Sequence, residues 1–241
     1  MNSALPTQNP FEDPEVEAGP AKIVELSAVD LAAFLNSRLC HDLISPTSAL
    51  TSALDLLEDP DAEDMRDDAL ALIKSSVEQL SSKLSFARVA FGAASTSHNF
   101  PADDLKPLVE TAFAKSKAEV KWQMENLQFS KPAGRAMINL AIIAAECLPR
   151  GGEATFVATE EDDGYRVHIT ATGRRAKLRK ETGSGLRSEE APTGLVGLWV
   201  QPYYTHALIA SIGGTVEAAS EDEVVTLKAF LPKEEETTLG G

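Results

Sequence analysis

The sequence predicts an α+β fold, in which an N-terminal antiparallel helical hairpin is followed by a two-layer α/β sandwich. Three features of the 241-residue chain lead to this prediction. Apolar residues recur every three or four positions through residues 39–91, which is typical of helices packed nearly parallel to one another. Apolar and polar residues alternate in several runs after residue 152, as in half-buried strands. The small and polar stretch at residues 92–104 separates the two patterns and marks a domain boundary.

Composition and charge restrict the class of protein. The hydrophobic content of 43% is ordinary for a chain that builds a core, and the formal net charge is -15. Nucleic acids and anionic membranes are normally met by clustered Lys and Arg, so we expect proteins or small molecules as partners. No apolar run approaches the ~18 residues of a membrane span, and the first residues lack the basic start and apolar core of a signal peptide. These features predict a cytoplasmic protein.

The two ends of the chain carry no hydrophobic period. Four prolines stand among scattered acids in the first 20 residues, so residues 1–25 are predicted to be a disordered arm. Residues 233–241 are predicted to be a flexible tail. The two cysteines, Cys40 and Cys147, lie in apolar stretches that look helical, which favours free buried thiols over a disulfide or a metal pair.

Residues 26–93 are predicted to form the helical hairpin. The second helix carries a stripe at alternating spacings of three and four, formed by Leu70, Ile73, Val77, Leu80, Leu84, Ala87 and Phe91. The first helix carries a similar stripe at Leu39, Leu43, Pro46, Leu50, Ala53 and Leu57, and the acidic turn 58–64 separates the two helices. Two amphipathic helices cannot cover all of their apolar surface on each other, so we expect a second copy to complete a four-helix bundle in a homodimer. The alternative is that the sandwich covers the open face within one chain.

Residues 101–232 are predicted to form the sandwich. A helix is expected at about 104–120, and an apolar helix at about 133–148 is closed by a proline and two glycines. The alternating runs 154–160 and 165–173 indicate a β-hairpin. After a basic loop we expect a helix at about 195–212, and the runs 215–220 and 224–232 are predicted to be strands. Helices and strands in this order indicate two packed layers.

The stretch RLCHDLISP, residues 38–46, holds the candidate site. Because Leu39 and Leu43 belong to the buried stripe, His41 is expected to point away from it into solvent. A histidine imidazole titrates near neutral pH, so an unprotonated fraction is available as a nucleophile. Groups that can hydrogen-bond the oxygens of a transferable anion such as phosphate surround it, namely Ser37, Arg38, Ser45 and Ser48.

A simpler interpretation of the same stretch is also available. A surface histidine beside an acid is common, and Ser45 followed by Pro46 can be an N-cap and the first position of a new helix. A metal site has little support, because Cys40 and His41 are adjacent and do not face the same way on a helix.

Over residues 27–232 the pattern resembles sensor histidine kinases, in which a dimerisation and histidine-phosphotransfer hairpin precedes an ATP-binding domain. The most specific part is HDLISP, residues 41–46, beside the heptad-patterned second helix. The resemblance implies that His41 carries a phosphoryl group, that Asp42 assists proton handling, and that Pro46 bends the helix below the site.

The sandwich departs from the kinase pattern where the kinases bind nucleotide. The helix ending in LPRGG resembles their N-box helix, and Asn139 matches its Asn-Leu pair. Ile143 stands at the position of the metal-holding asparagine, and it offers no oxygen to Mg²⁺. Ala171 stands where the kinases have the aspartate that recognises adenine, and Arg174 and Arg175 follow where a further glycine is expected. We therefore expect a degenerate ATP-binding domain that has no cofactor, holds no metal and does not bind ATP.

A histidine-bearing dimer with a degenerate nucleotide domain is similar to the histidine phosphotransferases of alphaproteobacterial phosphorelays, and the stretches SRLCHDLISP and LPRGG carry this resemblance. It implies a protein-histidine phosphotransferase that accepts a phosphoryl group from the receiver domain of a CckA-like hybrid histidine kinase. The group would pass to CtrA-like and CpdR-like response regulators, with Mg²⁺ supplied by the receivers. The alternatives are an ATP-dependent histidine kinase, a phosphatase that acts on receivers, and a dimeric scaffold. Ser45 stands at the position that would distinguish a phosphatase.

Two surfaces are candidates for docking a receiver. Below the histidine, Ile44 and the small residues Ser48, Ala49 and Ser52 leave room for a receiver helix, although they can also be plain helix surface. The segment GRRAKLRK places five cations within residues 174–180 of an otherwise acidic chain. Their charge suits the acidic surroundings of a receiver active site, and the alternative is a solvated loop.

Overall fold

The computed structural model describes residues 22–92, 99–114, 116–124, 126–190 and 197–233, and its α+β architecture confirms the predicted fold class. The helices are α1 (Ala28–Glu58), α2 (Arg66–Ala90), α3 (Ala102–Phe113), α4 (Lys131–Glu146), α5 (Lys180–Leu186) and α6 (Gly197–Ser211). The strands are β1 (Asn99–Pro101), β2 (Ala118–Gln123), β3 (Gln128–Ser130), β4 (Gly152–Glu160), β5 (Gly164–Thr172), β6 (Thr215–Glu221) and β7 (Val224–Pro232). Among the described residues, no helix combines the length and apolarity needed to cross a bilayer.

The first helix runs without interruption for 31 residues. It begins at Ser27, whose hydroxyl accepts a hydrogen bond from the backbone N–H of Asp30 at 3.1 Å and so satisfies one of the free donors of the first turn. It continues through Pro46 to Glu58, so the alternative of a new helix starting at Ser45 is wrong. The acidic turn that follows is a short 3-10 helix, Pro60–Met65, which leads directly into α2.

The buried residues of α1 and α2 are small, and Ala90 among them belongs to the core of the sandwich. Pro46 and Ala53 are the buried residues of α1, and those of α2 are Ala69, Ser76, Ala87 and Ala90. Side chains this small let the two helix axes approach closely. Within the predicted stripe of α2, Leu70, Val77 and Leu84 remain about half exposed, at 48%, 47% and 52%. One chain therefore covers only part of the apolar surface of its own hairpin.

The sandwich is a five-stranded sheet with helices on one face. The strand order is β2-β4-β5-β7-β6, with β2 parallel to β4 and the other neighbours antiparallel. Alternate side chains of β5 and β7 point into the core beneath α4, as the period of two predicts. Strands β1 and β3 pair separately, next to the start of α4.

One predicted helix is too long. Helix α3 ends at Phe113, and residues 118–123 form β2 instead of the last turn of a helix reaching residue 120. The chain reverses at Lys117, which has a φ of 55°, and Ala118, Val120 and Trp122 then alternate with polar residues. This alternation is too short to separate from a helical face by periodicity alone. Strands β1 and β3 and helix α5 were also not predicted.

The predicted arm ends earlier than residue 25. Residues 22–26 form what we call the N-terminal strap, which lies along the loop after α5. Val24 donates its N–H to the carbonyl of Ser188 at 2.8 Å, and the N–H of Leu26 bonds the hydroxyl of Tyr203 at 2.9 Å. Backbone pairing of this kind fixes a segment even where its sequence carries no period. The rest of the arm, the boundary residues 93–98 and the tail from residue 234 lie outside the described residues.

The end of α2 is bound to the sandwich through its free carbonyl groups. The carbonyl of Ala90 accepts hydrogen bonds from Asn139 Nδ2 at 3.2 Å and from the Tyr204 hydroxyl at 3.3 Å. The last carbonyls of a helix lack partners within the helix, so these side chains supply donors that the backbone cannot. Burial raises the pKa of Tyr204, which keeps its hydroxyl protonated as a donor. The N-terminal strap before α1 and the last residue of α2 are thus both hydrogen-bonded to the sandwich.

Candidate functional site

His41 projects from α1 into solvent, as the sequence predicts. Its side chain is 88% exposed, and Nδ1 lies 3.6 Å from Oδ1 of Asp42. This distance is too long for a hydrogen bond, so the carboxylate is a neighbour of the ring and not a bonded partner. Because Nδ1 faces Asp42, Nε2 is the ring nitrogen turned away from the carboxylate. The imidazole can therefore present Nε2 to a partner that approaches from solvent.

Arg38 links the helix of His41 to the sandwich. Its Nη2 donates to Oε1 of Glu146 at 2.5 Å, its Nη1 donates to the carbonyl of Gly197, and its Nε lies 3.8 Å from Oδ2 of Asp42. The side chain is only 13% exposed. A row of alternating charges thus runs from Glu146 through Arg38 to Asp42 and ends at His41.

The contacts of Arg38 bear on the role that the sequence suggested for it. Two of the three guanidinium nitrogens are bonded to α4 and α6, and the third faces Asp42. These contacts use at most three of the five N–H groups of the guanidinium, but they hold the side chain against the sandwich, where little of it is exposed. In the structure, Arg38 therefore serves mainly to link α1 to the sandwich. Sequence analysis missed this link because Glu146 is 108 residues away along the chain.

The remaining predicted site residues share the face of α1 that carries His41. Ser45, Ser48 and Ser52 follow His41 at spacings of four, three and four, and all three are exposed. Ser37 is exposed one turn before the histidine. The helix therefore brings together His41 and a stripe of hydroxyl groups and small side chains.

A bulky apolar side chain lies beside this stripe. Ile44 is 61% exposed, which is unusual for a large aliphatic residue, whereas Ala49 is half-buried. Together with Ser48 and Ser52 they form a shallow surface below His41, where a helix of another protein can approach the backbone of α1.

Below the histidine, a lysine that the sequence analysis did not identify contacts the same turn. Pro46 is buried, and Lys83 of α2 donates from Nζ to the backbone carbonyl of Asp42 at 2.6 Å. The sequence signal for this contact was the proline itself, since a proline within a helix frees the carbonyl four residues earlier. Only the register between α1 and α2 shows which side chain meets it.

The basic segment, residues 174–180, is anchored by its backbone and presents all of its cations to solvent. Lys177 donates its N–H to the carbonyl of Cys147 at 3.2 Å, and Arg175 donates its N–H to Glu223 at 2.7 Å. Ala176 is buried, whereas the exposed side chains are Arg174, Arg175, Lys177, Arg179 and Lys180. Because Cys147 directly follows Glu146, the segment passes the end of α4 that binds Arg38.

The two cysteines differ in exposure. Cys147 is buried, as predicted, but Cys40 is exposed on α1, because it lies next to His41 and outside the buried stripe. Burial, followed by the negative charge of Glu146, raises the pKa of Cys147 to about 12. The Cys147 thiol is therefore protonated at neutral pH and does not compete with the histidine as a nucleophile.

The positions that match the nucleotide-binding residues of kinases belong to the core of the sandwich. Ile143 is fully buried on α4, and Ala171 is buried on β5. Asn139 is also fully buried, and its amide donates to the carbonyls of Ala90 and Arg135 at 3.2 and 2.8 Å. Its carbonyl oxygen accepts from Gln201 at 3.4 Å. Asn139 therefore links α2, α4 and α6.

Comparison with known proteins identifies close relatives. Residues 102–224 match the family described as the histidine phosphotransferase C-terminal domain. Protein phosphotransferase ChpT of Brucella abortus (strain 2308) is 37% identical over 207 residues, which cover 83% of this chain and 96% of that protein. A bacterial phosphotransferase of known structure superposes with a TM-score of 0.76 and 32% identity, over 86% of this chain and 100% of the other. The histidine kinase AdeS of Acinetobacter baumannii gives a TM-score of 0.45 with 13% identity, over 81% and 98% of the two chains.

Proposed function

The chain belongs to the histidine phosphotransferase family, and from that premise we propose that His41 is the residue that carries the phosphoryl group. Family membership confirms the predicted function as a histidine phosphotransferase of a phosphorelay, whose partners are receiver and response-regulator proteins. The observation that carries the assignment to His41 is an imidazole that is 88% exposed on a helix, with a carboxylate beside one ring nitrogen.

The other described histidines are less suited to the role. His168 lies in β5, with β4 and β7 on either side of its strand, and His206 is half-buried in α6. Neither has an adjacent acid in the chain or an exposed helical stripe of hydroxyl groups around it. An in-line attack needs open space on the side of the nucleophile, which both His41 and His168 have. The adjacent carboxylate and the stripe of hydroxyl groups are what distinguish His41.

The reaction consists of two transfers between nitrogen and oxygen. In the first, Nε2 of His41 attacks the phosphorus of an aspartyl phosphate, and the N–P bond forms as the acyl P–O bond breaks. The receiver aspartate leaves as a carboxylate with the electron pair of that bond. In the second, the aspartate of another receiver attacks the same phosphorus, and the imidazole leaves with the electrons of the N–P bond. Both phosphoryl carriers are energy-rich, so no ATP is consumed.

Asp42 and the hydroxyl groups assist these steps. Positive charge develops on the imidazole as Nε2 bonds to phosphorus, and the Asp42 carboxylate, 3.6 Å from Nδ1, stabilises it. Ser37 and Ser45 are exposed one turn to either side of the histidine and can donate to phosphoryl oxygens. The receiver brings its own Mg²⁺ and lysine, which neutralise the charge of the transferred group. The chain itself needs no cofactor for this chemistry.

The working form that we propose is a homodimer through a four-helix bundle. Leu70, Val77 and Leu84 are spaced by seven residues, and each is about half exposed in one chain. An apolar stripe with this period is the seam of a helix that packs against another helix. On α1, exposed Leu54 lies roughly 140° around the helix from His41, at 100° per residue. A second copy that covers Leu54 therefore leaves the histidine accessible.

Receivers dock, in this proposal, against the face of α1 below His41 and against the basic segment. Ile44 offers an apolar contact, and Ser48, Ala49 and Ser52 let a receiver helix approach closely. The five exposed cations of residues 174–180 attract the acidic rim of a receiver active site, which speeds association and fixes orientation. We propose a CckA-like hybrid kinase as donor and CtrA-like and CpdR-like regulators as acceptors, all in the cytoplasm.

We regard an ATP-dependent kinase and a phosphatase as weaker alternatives. The side chains at the positions of the metal-binding asparagine and the adenine-binding aspartate, Ile143 and Ala171, are buried in the core and carry no polar group. A purified receiver that carries radioactive phosphate on its aspartate tests the proposal. After the two proteins are mixed, we expect the chain to carry label that is labile in acid and stable in alkali. Labelled ATP alone should give no label on the chain. Receiver dephosphorylation without labelled chain would indicate a phosphatase, and labelling by ATP would indicate a kinase.

A further inference from the structure

Helix α1 contains a proline five residues after His41, yet it remains one helix. In an α-helix each N–H bonds the carbonyl four residues earlier, so the missing N–H of Pro46 leaves the carbonyl of Asp42 without its backbone donor. The ring of the proline also crowds that carbonyl. The turn that holds His41 and Asp42 therefore lacks one of the backbone hydrogen bonds of α1.

Lys83 of α2 supplies the missing donor. Its Nζ lies 2.6 Å from the carbonyl oxygen of Asp42, and the two residues are 41 positions apart in the chain. A bond from an ammonium group is stronger than the amide bond that it replaces. It also fixes α1 to α2 at the level of the histidine.

We propose that Lys83 is a positioning residue for phosphotransfer, which replaces the hydrogen bond lost at Pro46 and so fixes the turn that carries His41. The proposal rests on the proposed function of His41. Lys83 acts through the backbone of Asp42, whose carboxylate lies 3.6 Å from His41 Nδ1 and 3.8 Å from Arg38 Nε. In-line transfer tolerates little displacement of the reacting nitrogen, so freeing this turn slows the transfer itself.

The arrangement also explains why the proline is useful at this place. A free carbonyl beside the histidine lets a side chain from the second helix hold the first, which an ordinary backbone bond cannot do. Lys83 thereby couples the packing of the hairpin to the position of the imidazole. Lys83 contacts the turn from the side of α1 that packs against α2, not from the exposed face that carries His41 and Ser45.

The test is a pair of substitutions measured in single-turnover transfer from a phosphorylated receiver. Lys83→Met removes the donor, and we expect the rate at saturating receiver to fall about tenfold while the half-saturating concentration stays within about twofold. Pro46→Ala restores the backbone N–H to Asp42. In the Pro46→Ala background, Lys83→Met is therefore expected to change the rate by less than about twofold.

Controls separate positioning from loss of charge and from unfolding. Lys74→Met removes an exposed lysine from the same helix and should leave the rate unchanged, whereas Lys83→Arg keeps a donor and should retain most of it. Circular dichroism checks the helix content of each variant.

Three results would overturn the proposal: a wild-type rate in Lys83→Met, an equal loss in both backgrounds, or a raised half-saturating concentration at an unchanged maximal rate. In each of these the wild type still labels His41, so the proposed function survives. A wild type without label overturns both.

Discussion

Nη2 of Arg38 lies 2.5 Å from Oε1 of Glu146, and this contact binds the helix that carries His41 to the end of α4. Arg38 is largely buried, so the pair is better shielded from solvent than an ordinary surface ion pair. Because the sandwich also carries the basic segment next to Glu146, the contact keeps His41 and these cations in a fixed relation. The position of His41 relative to the sandwich thus depends on a contact between the two parts of the chain.

Removing the charge of Glu146 is expected to weaken this connection. Glu146→Gln removes the carboxylate that lies closest to the Arg38 guanidinium, and we expect the free energy of unfolding to fall by about 1–3 kcal/mol. Urea denaturation followed by circular dichroism measures the change. As a control, Glu153→Gln breaks the exposed pair with Lys121 and should leave stability nearly unchanged. Equal stability of Glu146→Gln and wild type would show that the contact does not join the two parts.

A charge in the exposed heptad stripe is expected to separate the dimer. Val77→Glu places a carboxylate in the centre of the proposed seam, where its desolvation opposes association, and the dissociation constant should rise by at least about a hundredfold. Light scattering after size-exclusion chromatography gives the mass of each variant. Leu72→Glu is the matched control, because Leu72 is 38% exposed on another face of α2. A dimer that persists in Val77→Glu would place the interface elsewhere.

Reversing charge in the basic segment is expected to weaken receiver docking. For Arg174→Glu combined with Lys177→Glu, we expect the half-saturating receiver concentration to rise about tenfold at low salt, and the difference to shrink as salt screens the charges. The maximal rate should not change, since neither side chain lies at His41. Lys228→Glu, on the exposed side of β7, is the control for a charge reversal outside the segment. If the control and the double variant weaken docking equally, the segment has no special role.

The buried thiol predicts a loss of stability in alkali. The pKa of Cys147 is raised from its ordinary value of 9.0 to about 12 by burial and then by the charge of Glu146. Between these values the unfolded thiol releases its proton while the folded thiol keeps it, so stability falls as the pH rises from about 9 towards 12. The melting temperatures of the wild type and of Cys147→Ala are measured at several pH values in this range. The wild type should lose stability relative to the variant as the pH rises. A constant difference between the two proteins would contradict the raised pKa.

The sequence was most informative where one local rule settles the structure. The heptad spacing predicted the hairpin, and the position of His41 between Leu39 and Leu43 predicted its exposure, because a helix fixes the direction of each side chain. The alternating runs likewise predicted β4 to β7. Pro46, by contrast, was compatible with the start of a new helix and with a continuous helix. Only packing against α2 makes the continuous helix the stable one.

Contacts between distant segments could not be predicted in the same way. Glu146 is 108 residues from Arg38, and Lys83 is 41 residues from Asp42, so no local pattern relates them. The N-terminal strap is held by backbone hydrogen bonds to a loop more than 160 residues later, which leave no periodic signal. Strand β2 was missed because its place in the sheet depends on parallel pairing with β4.

The central claim is that one exposed imidazole carries the phosphoryl group between receivers. Transfer from a labelled receiver to an unlabelled one, followed by peptide mapping under alkaline conditions, tests it most directly, with His41→Gln and His168→Gln compared in parallel. We expect acid-labile label on the peptide that contains His41, no transfer by His41→Gln, and wild-type transfer by His168→Gln. Undiminished transfer by His41→Gln, or label on any other residue, would contradict the account.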